Sequence, residues 1–121
     1  MAWISDCIRR HRKIPGTITF IFTSNAQLLR MNKKYLNHNY FTDVITFDYT
    51  EGKEISGDIF ISIDQVRENA IAYKVMEEEE LRRVMIHGVL HLIGFNDDVK
   101  EEQVVMREME KEALNLWLKG E

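Results

Sequence analysis

The sequence predicts one α/β (α+β) domain over residues 1–121, a small mixed sheet of three to four strands packed with about five helices. Three observations carry that expectation. Short runs rich in β-branched and aromatic residues, at 17–23, 43–49 and 57–63, are bounded by turn residues. Around them lie stretches with apolar residues at helical spacing. The length suits one domain, and a chain of 121 residues with 45% hydrophobic content can bury a real core. No repeat, low-complexity segment or linker divides it.

In chain order, residues 2–12 form the first expected helix, with Trp3, Ile4, Cys7, Ile8 and His11 spaced for one face. Pro15 and Gly16 then break the chain. Along 17–23, Ile18, Phe20 and Phe22 alternate with Thr19, Ile21 and Thr23, a strand pattern. Ser24 and Gln27 make a capping box, so a second helix starts there. Its Leu28, Met31 and Tyr35 point inward, and Arg30, Lys33 and Lys34 lie on its exposed side. A polar loop containing His38, Tyr40 and Phe41 leads to the second strand, and residues 50–53 turn into the third. The second and third strands should pair antiparallel, while the helix between the first and second implies a parallel crossover between those two. Asp64 caps a helix over 65–73, with Val66, Ala70 and Tyr73 inward. Glu77 to Glu80 favour the N-terminus of the next helix through its dipole, and read as a helix start rather than an acidic site. A last helix covers 100–118, packing through Val105, Met109, Ala113, Leu116 and Trp117.

The single cysteine, Cys7, excludes an internal disulfide and reads as a packing residue in a reducing compartment. With no apolar run of about 18 residues and no apolar N-terminal signal region, the expected location is cytoplasmic, without a membrane partner. The net charge of −4 argues against nucleic acid, but its distribution argues the other way. The first 38 residues carry seven Lys/Arg against Asp6 alone, and the remainder nine against nineteen acids. Such asymmetry marks either a nucleic-acid contact, with Arg30, Lys33 and Lys34 as candidates, or a set of solvated helix faces.

The chemistry concentrates in residues 85–98. His87 and His91 stand four apart, which puts both on one face of a helix, one turn from each other. Every other residue from Val84 to Ile93 is apolar or glycine, the composition of a buried helix. A buried imidazole without a partner costs roughly 1–3 kcal/mol, so two on one face call for a common partner rather than two separate backbone bonds. Gly94 supplies a left-handed helix end, and the returning chain brings Asp97 toward the same face. Asp98, its neighbour, is the competing choice. Two imidazoles and one carboxylate make a three-ligand Zn²⁺ set with the fourth position open to water, the catalytic rather than the structural arrangement.

These residues carry a family resemblance. The stretch resembles the signature of the bacterial YbeY family, His-Gly-x-Leu-His-Leu-x-Gly-Tyr-Asp-His; here it reads His87-Gly88-Val89-Leu90-His91-Leu92-Ile93-Gly94-Phe95-Asn96-Asp97. The first eight positions fit, and Asp97 replaces the last histidine at the same offset. Thr42-Asp43-Val44-Ile45-Thr46-Phe47 and Gly57-Asp58-Ile59-Phe60-Ile61 are similar to two further family stretches, and the resemblance spans roughly residues 17–116. It implies a zinc-dependent single-strand endoribonuclease of rRNA maturation and ribosome biogenesis. One Zn²⁺ per chain would be held by His87, His91 and Asp97, with zinc-bound water doing the chemistry. The implied partners are an rRNA precursor and ribosomal proteins or the small subunit.

Two departures accompany the resemblance. The family often has an arginine where this chain has Leu36, which removes a bidentate phosphate contact. Its members also usually begin with one more strand, so the sheet here either has three strands or gains an edge from elsewhere. His38 could contact phosphate or relay a proton, or be a solvated loop residue. Asp43 could orient a ligand or water near the metal, or start a strand. Tyr40 and Phe41 could stack bases or anchor the loop. Leu36 and the acidic balance keep a second reading open, a metal-stabilised ribosome-assembly factor that binds RNA without cutting it. The zincin-like His-x-x-x-His spacing also occurs in zinc peptidases, but those need a glutamate after the first histidine as general base. Gly88 stands there and cannot move a proton; its use is close approach of backbone or substrate.

Overall fold

A computed structural model describes residues 2–35 and 43–120. The elements run α1 (Ala2–Arg10), β1 (Ile14–Thr23), α2 (Asn25–Tyr35), β2 (Val44–Asp48), β3 (Glu54–Ser62), α3 (Ile63–Tyr73), α4 (Glu77–Ile93) and α5 (Lys100–Gly120). The mixed sheet has three strands among the described residues, in the order β1-β3-β2. β2 pairs antiparallel with β3, as expected. The parallel partner of β1 is β3, not β2. The expected crossover between the first two strands is therefore wrong by one strand. The short connection from β2 lets β3 fold straight back on it, and β3 is the strand with most apolar surface to hide. Its Ile55, Ile59 and Ile61 are buried on one side while Phe60 packs on the other, so it takes the centre.

Pro15 and Gly16 do not end the helix–strand unit but lie inside β1. The strand tolerates them because β1 is an edge and its register shifts between Pro15 and Ile18. A Cβ at Gly16 would press on the Ser56 hydroxyl and lie 2.7 Å from the Ile55 carbonyl.

The two faces of the sheet are covered unequally. Leu28 and Met31 of α2 pack on Ile45, Phe47 and Phe60. The other face carries the main core, where Trp3, Ile4, Cys7 and Ile8 of α1, Val66 of α3, most of α4, and Met106 and Ala113 of α5 meet Ile55, Ile59 and Ile61. Half of the capping box forms: the Gln27 amide donates to the Ser24 hydroxyl at 3.2 Å, while the Gln27 side chain accepts from Arg30. Tyr35 is exposed yet edges onto Phe47 at 5.9 Å.

Three other expectations change. Ser62, not Asp64, caps α3 by accepting from the Gln65 amide; the Asp64 carboxylate accepts from the Asn25 amide and ties α2 to α3. Tyr73 is 61% exposed, because α3 ends there on the left-handed Lys74. Along α5, Ala113 is buried and Met109, Leu116 and Trp117 pack against the core as expected, whereas Val105 is exposed and Met106 and Glu110 are buried in addition. The Trp3 indole N–H donates to the Ala113 carbonyl at 2.7 Å and sets that rotation of the helix. Cys7 is buried as a packing residue, and burial with Asp6 nearby pushes its thiol up to about 11. No described helix is long and apolar enough to cross a membrane.

Candidate metal centre

α4 is the element that builds the site. It lies on β3 so closely that a Cβ at Gly88 would stand 2.7 Å from Cγ2 of Ile59. Position 88 thus faces the sheet, and the glycine serves packing rather than substrate approach. A glutamate there would have no room, which removes the general base of a peptidase. With Gly88 inward, His87 and His91 fall on the flank of the helix away from the sheet, half-buried at 16% and 24% side-chain exposure.

Gly94 then ends α4 at φ +126°. Its amide donates to the His91 and Leu90 carbonyls, and the Phe95 amide to Leu90, which closes the helix in a Schellman-like turn. The chain returns along the flank and presents the Asp97 carboxylate to both imidazoles. The Gln103 side chain, from α5, donates to the Asp97 carbonyl at 3.2 Å and steadies the turn. Asp98 is used differently: its amide, with that of Val99, donates to Glu102 at the start of α5.

His87, His91 and Asp97 each offer one ligand atom to a common centre, the only such group of three or more among the described residues. The His87 and His91 Nε2 atoms are 3.0 Å apart; Oδ2 of Asp97 is 3.3 Å from the first and 3.5 Å from the second. A tetrahedral metal with bonds of about 2.1 Å separates its ligand atoms by about 3.4 Å. The donor triangle has that size, so the residues fit a tetrahedral ion with its fourth position open.

The imidazoles are held from behind. Nδ1 of His87 lies 2.6 Å from Oε2 of Glu110; a carboxylate accepts, so Nδ1–H is the donor of this bond, and the bond turns Nε2 toward the triangle. His91 has a backbone hydrogen bond with Phe95. Burial, and then the neighbouring His87, hold His91 below the usual imidazole value, so it is neutral and able to ligate at neutral pH.

Glu110 belongs to a buried network. Arg83, one turn before His87, reaches Glu80 at 2.7 Å, Glu110 at 3.3 Å and Asp43 at 3.5 Å; Asn69 of α3 donates to Glu80 and Asp43. Burial opposes the Arg83 charge, but the bond to Glu80 and the three carboxylates outweigh it and raise its pKa. Burial likewise pushes Glu110 upward, and the His87 bond with the Arg83 charge overcomes it and holds the carboxyl below the usual range. No buried side-chain N or O among the described residues lacks a partner. Glu80, only 2% exposed, is thus more than a helix-start charge.

Sequence reasoning missed Glu110 and Arg83. The signals were present: Met106, Glu110 and Ala113 share an i, i+4, i+7 stripe that places an acid on a packing face, and Glu80, Arg83 and His87 follow i, i+3, i+7. Asp43 immediately precedes β2 and, among the described residues, connects to the histidines through Arg83 and Glu110. Arg30, Lys33 and Lys34 lie on α2, across the sheet from α4, and the structure does not bring them to the histidines. Arg30 bonds Gln27, and Lys34 lies over Tyr35. His11 edges onto Phe95 at 5.2 Å beside the core. Leu36, His38, Tyr40 and Phe41 lie outside the described residues.

Comparison with known proteins gives one answer from three directions. The sequence model of the family described as endoribonuclease YbeY matches residues 2–117. An endoribonuclease YbeY of Flavobacterium psychrophilum is 51% identical over 115 residues, covering 95% of this chain and 82% of that protein. One of Parabacteroides distasonis is 49% identical over 112 residues, covering 93% and 79%. The solution structure of TM1509 from Thermotoga maritima superposes with a TM-score of 0.62 at 25% identity, over 98% of this chain and 81% of that one. With a family match over nearly its whole length, and a sheet and helices that superpose on a solved fold, this chain belongs to the endoribonuclease YbeY family.

Proposed function

We propose that the protein is a zinc-dependent single-strand endoribonuclease of rRNA maturation, with His87, His91 and Asp97 as the metal ligands. The observation that supports it most is the donor triangle of 3.0, 3.3 and 3.5 Å, open on one side, in a chain of this family. Two imidazoles and a carboxylate are a borderline-soft set that suits Zn²⁺ over Mg²⁺ or Ca²⁺. When bound, such an ion supplies Lewis acidity toward water and a phosphoryl oxygen, both useful in phosphodiester hydrolysis.

The protein residues do the arranging. Glu110 fixes the His87 tautomer and ring plane. Arg83 holds Glu110 in turn, and Asp43 closes the far end of that chain of contacts, so its part is structural support rather than water activation. Gly94 and Gln103 deliver Asp97. Arg30, Lys33 and Lys34 can serve only RNA long enough to reach the other sheet face. Ribosomal proteins or the small subunit are the partners this role requires, and the cytoplasm its place.

The test is incubation of metal-loaded protein with an rRNA precursor, beside a chelated sample and His91→Ala. Cleavage should occur in the first alone. RNA bound but uncut by loaded wild-type protein would instead establish the non-cleaving assembly reading.

A further inference from the structure

Beside the donor triangle opens a cleft of about 450 Å³ lined by Tyr73, Arg83, His87, Asp97, Gln103, Met106, Arg107 and Glu110. That volume lies in the range of small-ligand sites. Two cations border it, and they differ. Arg83 is committed to Asp43, Glu80 and Glu110 and cannot leave them without baring buried carboxylates. Arg107 is exposed on α5 and has no hydrogen bond or ion pair with any described residue. Its acidic neighbour one turn on, Glu110, is already taken by His87 and Arg83. On the α3 side stands Tyr73, 61% exposed, with no ring stacked on it among the described residues.

A guanidinium and an aromatic ring that no described residue engages, on one cleft beside an open metal position, match the two parts of a nucleotide. We propose that this cleft is a nucleotide subsite for the single-stranded RNA substrate, in which Arg107 binds a backbone phosphate and Tyr73 stacks on an unpaired base. Arginine presents paired N–H donors to phosphate oxygens, and stacking on an aromatic ring is open to every base but closed to a base already inside a duplex. The subsite therefore selects single strands without reading sequence. It also supplies a phosphate contact on α5 in a chain with leucine at position 36. The identity of the ligand rests on the ribonuclease reading.

The test uses metal-loaded protein and a short fluorescent single-stranded oligoribonucleotide, with anisotropy for affinity and gel analysis for cleavage. Arg107→Gln should weaken binding by about fivefold to tenfold and lower the slope of log affinity against log salt by about 0.7. Tyr73→Leu should weaken binding by about fivefold or more with the slope unchanged, and Tyr73→Phe should restore it. Arg67→Gln, which removes an equal charge from a Glu77 ion pair on the outside of α3, should change affinity less than about twofold. Binding to a duplex of the same sequence should not respond to Tyr73→Leu. If wild-type protein binds and cleaves while the Arg107 and Tyr73 variants bind as well as it does, the subsite is overturned and the nuclease reading stands. If wild-type protein binds without cutting and both variants bind weakly, the subsite stands and the nuclease reading fails.

Discussion

Glu110 decides which nitrogen of His87 is free, and that choice precedes any chemistry at the site. A histidine whose Nδ1–H is engaged by a carboxylate offers Nε2 in a fixed direction, and losing such a partner commonly lowers metal affinity about 10- to 100-fold. Glu110→Gln keeps a neutral acceptor for Nδ1–H but removes the charge that Arg83 also uses. Zinc affinity, read by competition with a chelating dye, should fall about tenfold, and Glu110→Ala should lie near the lower limit. Unchanged affinity in both would mean that the 2.6 Å bond does not orient the ring. The other imidazole makes a pH prediction for the metal-free chain. His91 has a lowered pKa in the fold, so its protonated form is favoured in the unfolded chain. Its contribution to stability is complete above the unfolded value of about 6.5 and is lost as pH falls through the lowered folded value. Denaturant titrations of metal-free protein between about pH 7 and pH 5 should show stability falling, and His91→Asn should flatten that fall. An equally steep decline in the variant would assign it to the carboxylates instead.

At the scale of elements, α4 against β3 is the contact that aims the site, and Gly88 measures how close it is. Alanine in place of a mid-helix glycine gains about 1 kcal/mol in helix propensity. Here its Cβ would stand 2.7 Å from a methyl of Ile59, a fully buried β-branched residue with no freedom to turn aside. Overpacking of that kind costs about 1–3 kcal/mol, so the clash should win. Gly88→Ala is expected to lower the unfolding free energy by about 1 kcal/mol net, and Gly88→Ala with Ile59→Ala should show positive coupling in a double-mutant cycle. A stabilised Gly88→Ala protein would mean that α4 rides higher on the sheet. Element existence was legible in the sequence because period and caps are local: the Ser24 cap, the Gly94 turn and the alternation in β1 each announce themselves within a few residues. The pairing of β1 with β3 was not, because it depends on which strand hides most surface, a property of the assembled sheet. The packing side of α5 was legible from spacing at Met109, Ala113, Leu116 and Trp117, but the burial of Glu110 was not, because its partners Arg83 and His87 come from another helix.

For the whole molecule, the three members of the donor triangle could be read from spacing, but their support could not. His87 and His91 are four apart and Asp97 follows a signalled turn, whereas Asn69, Glu80, Arg83 and Glu110 come from three helices, Asp43 from the residue before β2, and they meet only after folding. That network joins the start of β2 to α3, α4 and α5, and the donor triangle joins α4 to the turn that leads into α5. A metal in the triangle would therefore tie the two longest helices together, and binding there should appear as folding stability. An ion that binds only the folded chain stabilises it by about 2.7 kcal/mol at a free concentration a hundredfold above its Kd, or about 10 °C in Tm for a domain of this size. Thermal unfolding with zinc and with chelator should differ by about that amount in wild-type protein. Asp97→Ala should lose most of the difference by removing a ligand, and Asp98→Ala should keep it, because the amide of Asp98 caps α5 whatever its side chain. A gain lost in Asp98→Ala and kept in Asp97→Ala would move the third ligand by one residue and would mean that the turn after Gly94 closes differently around the ion.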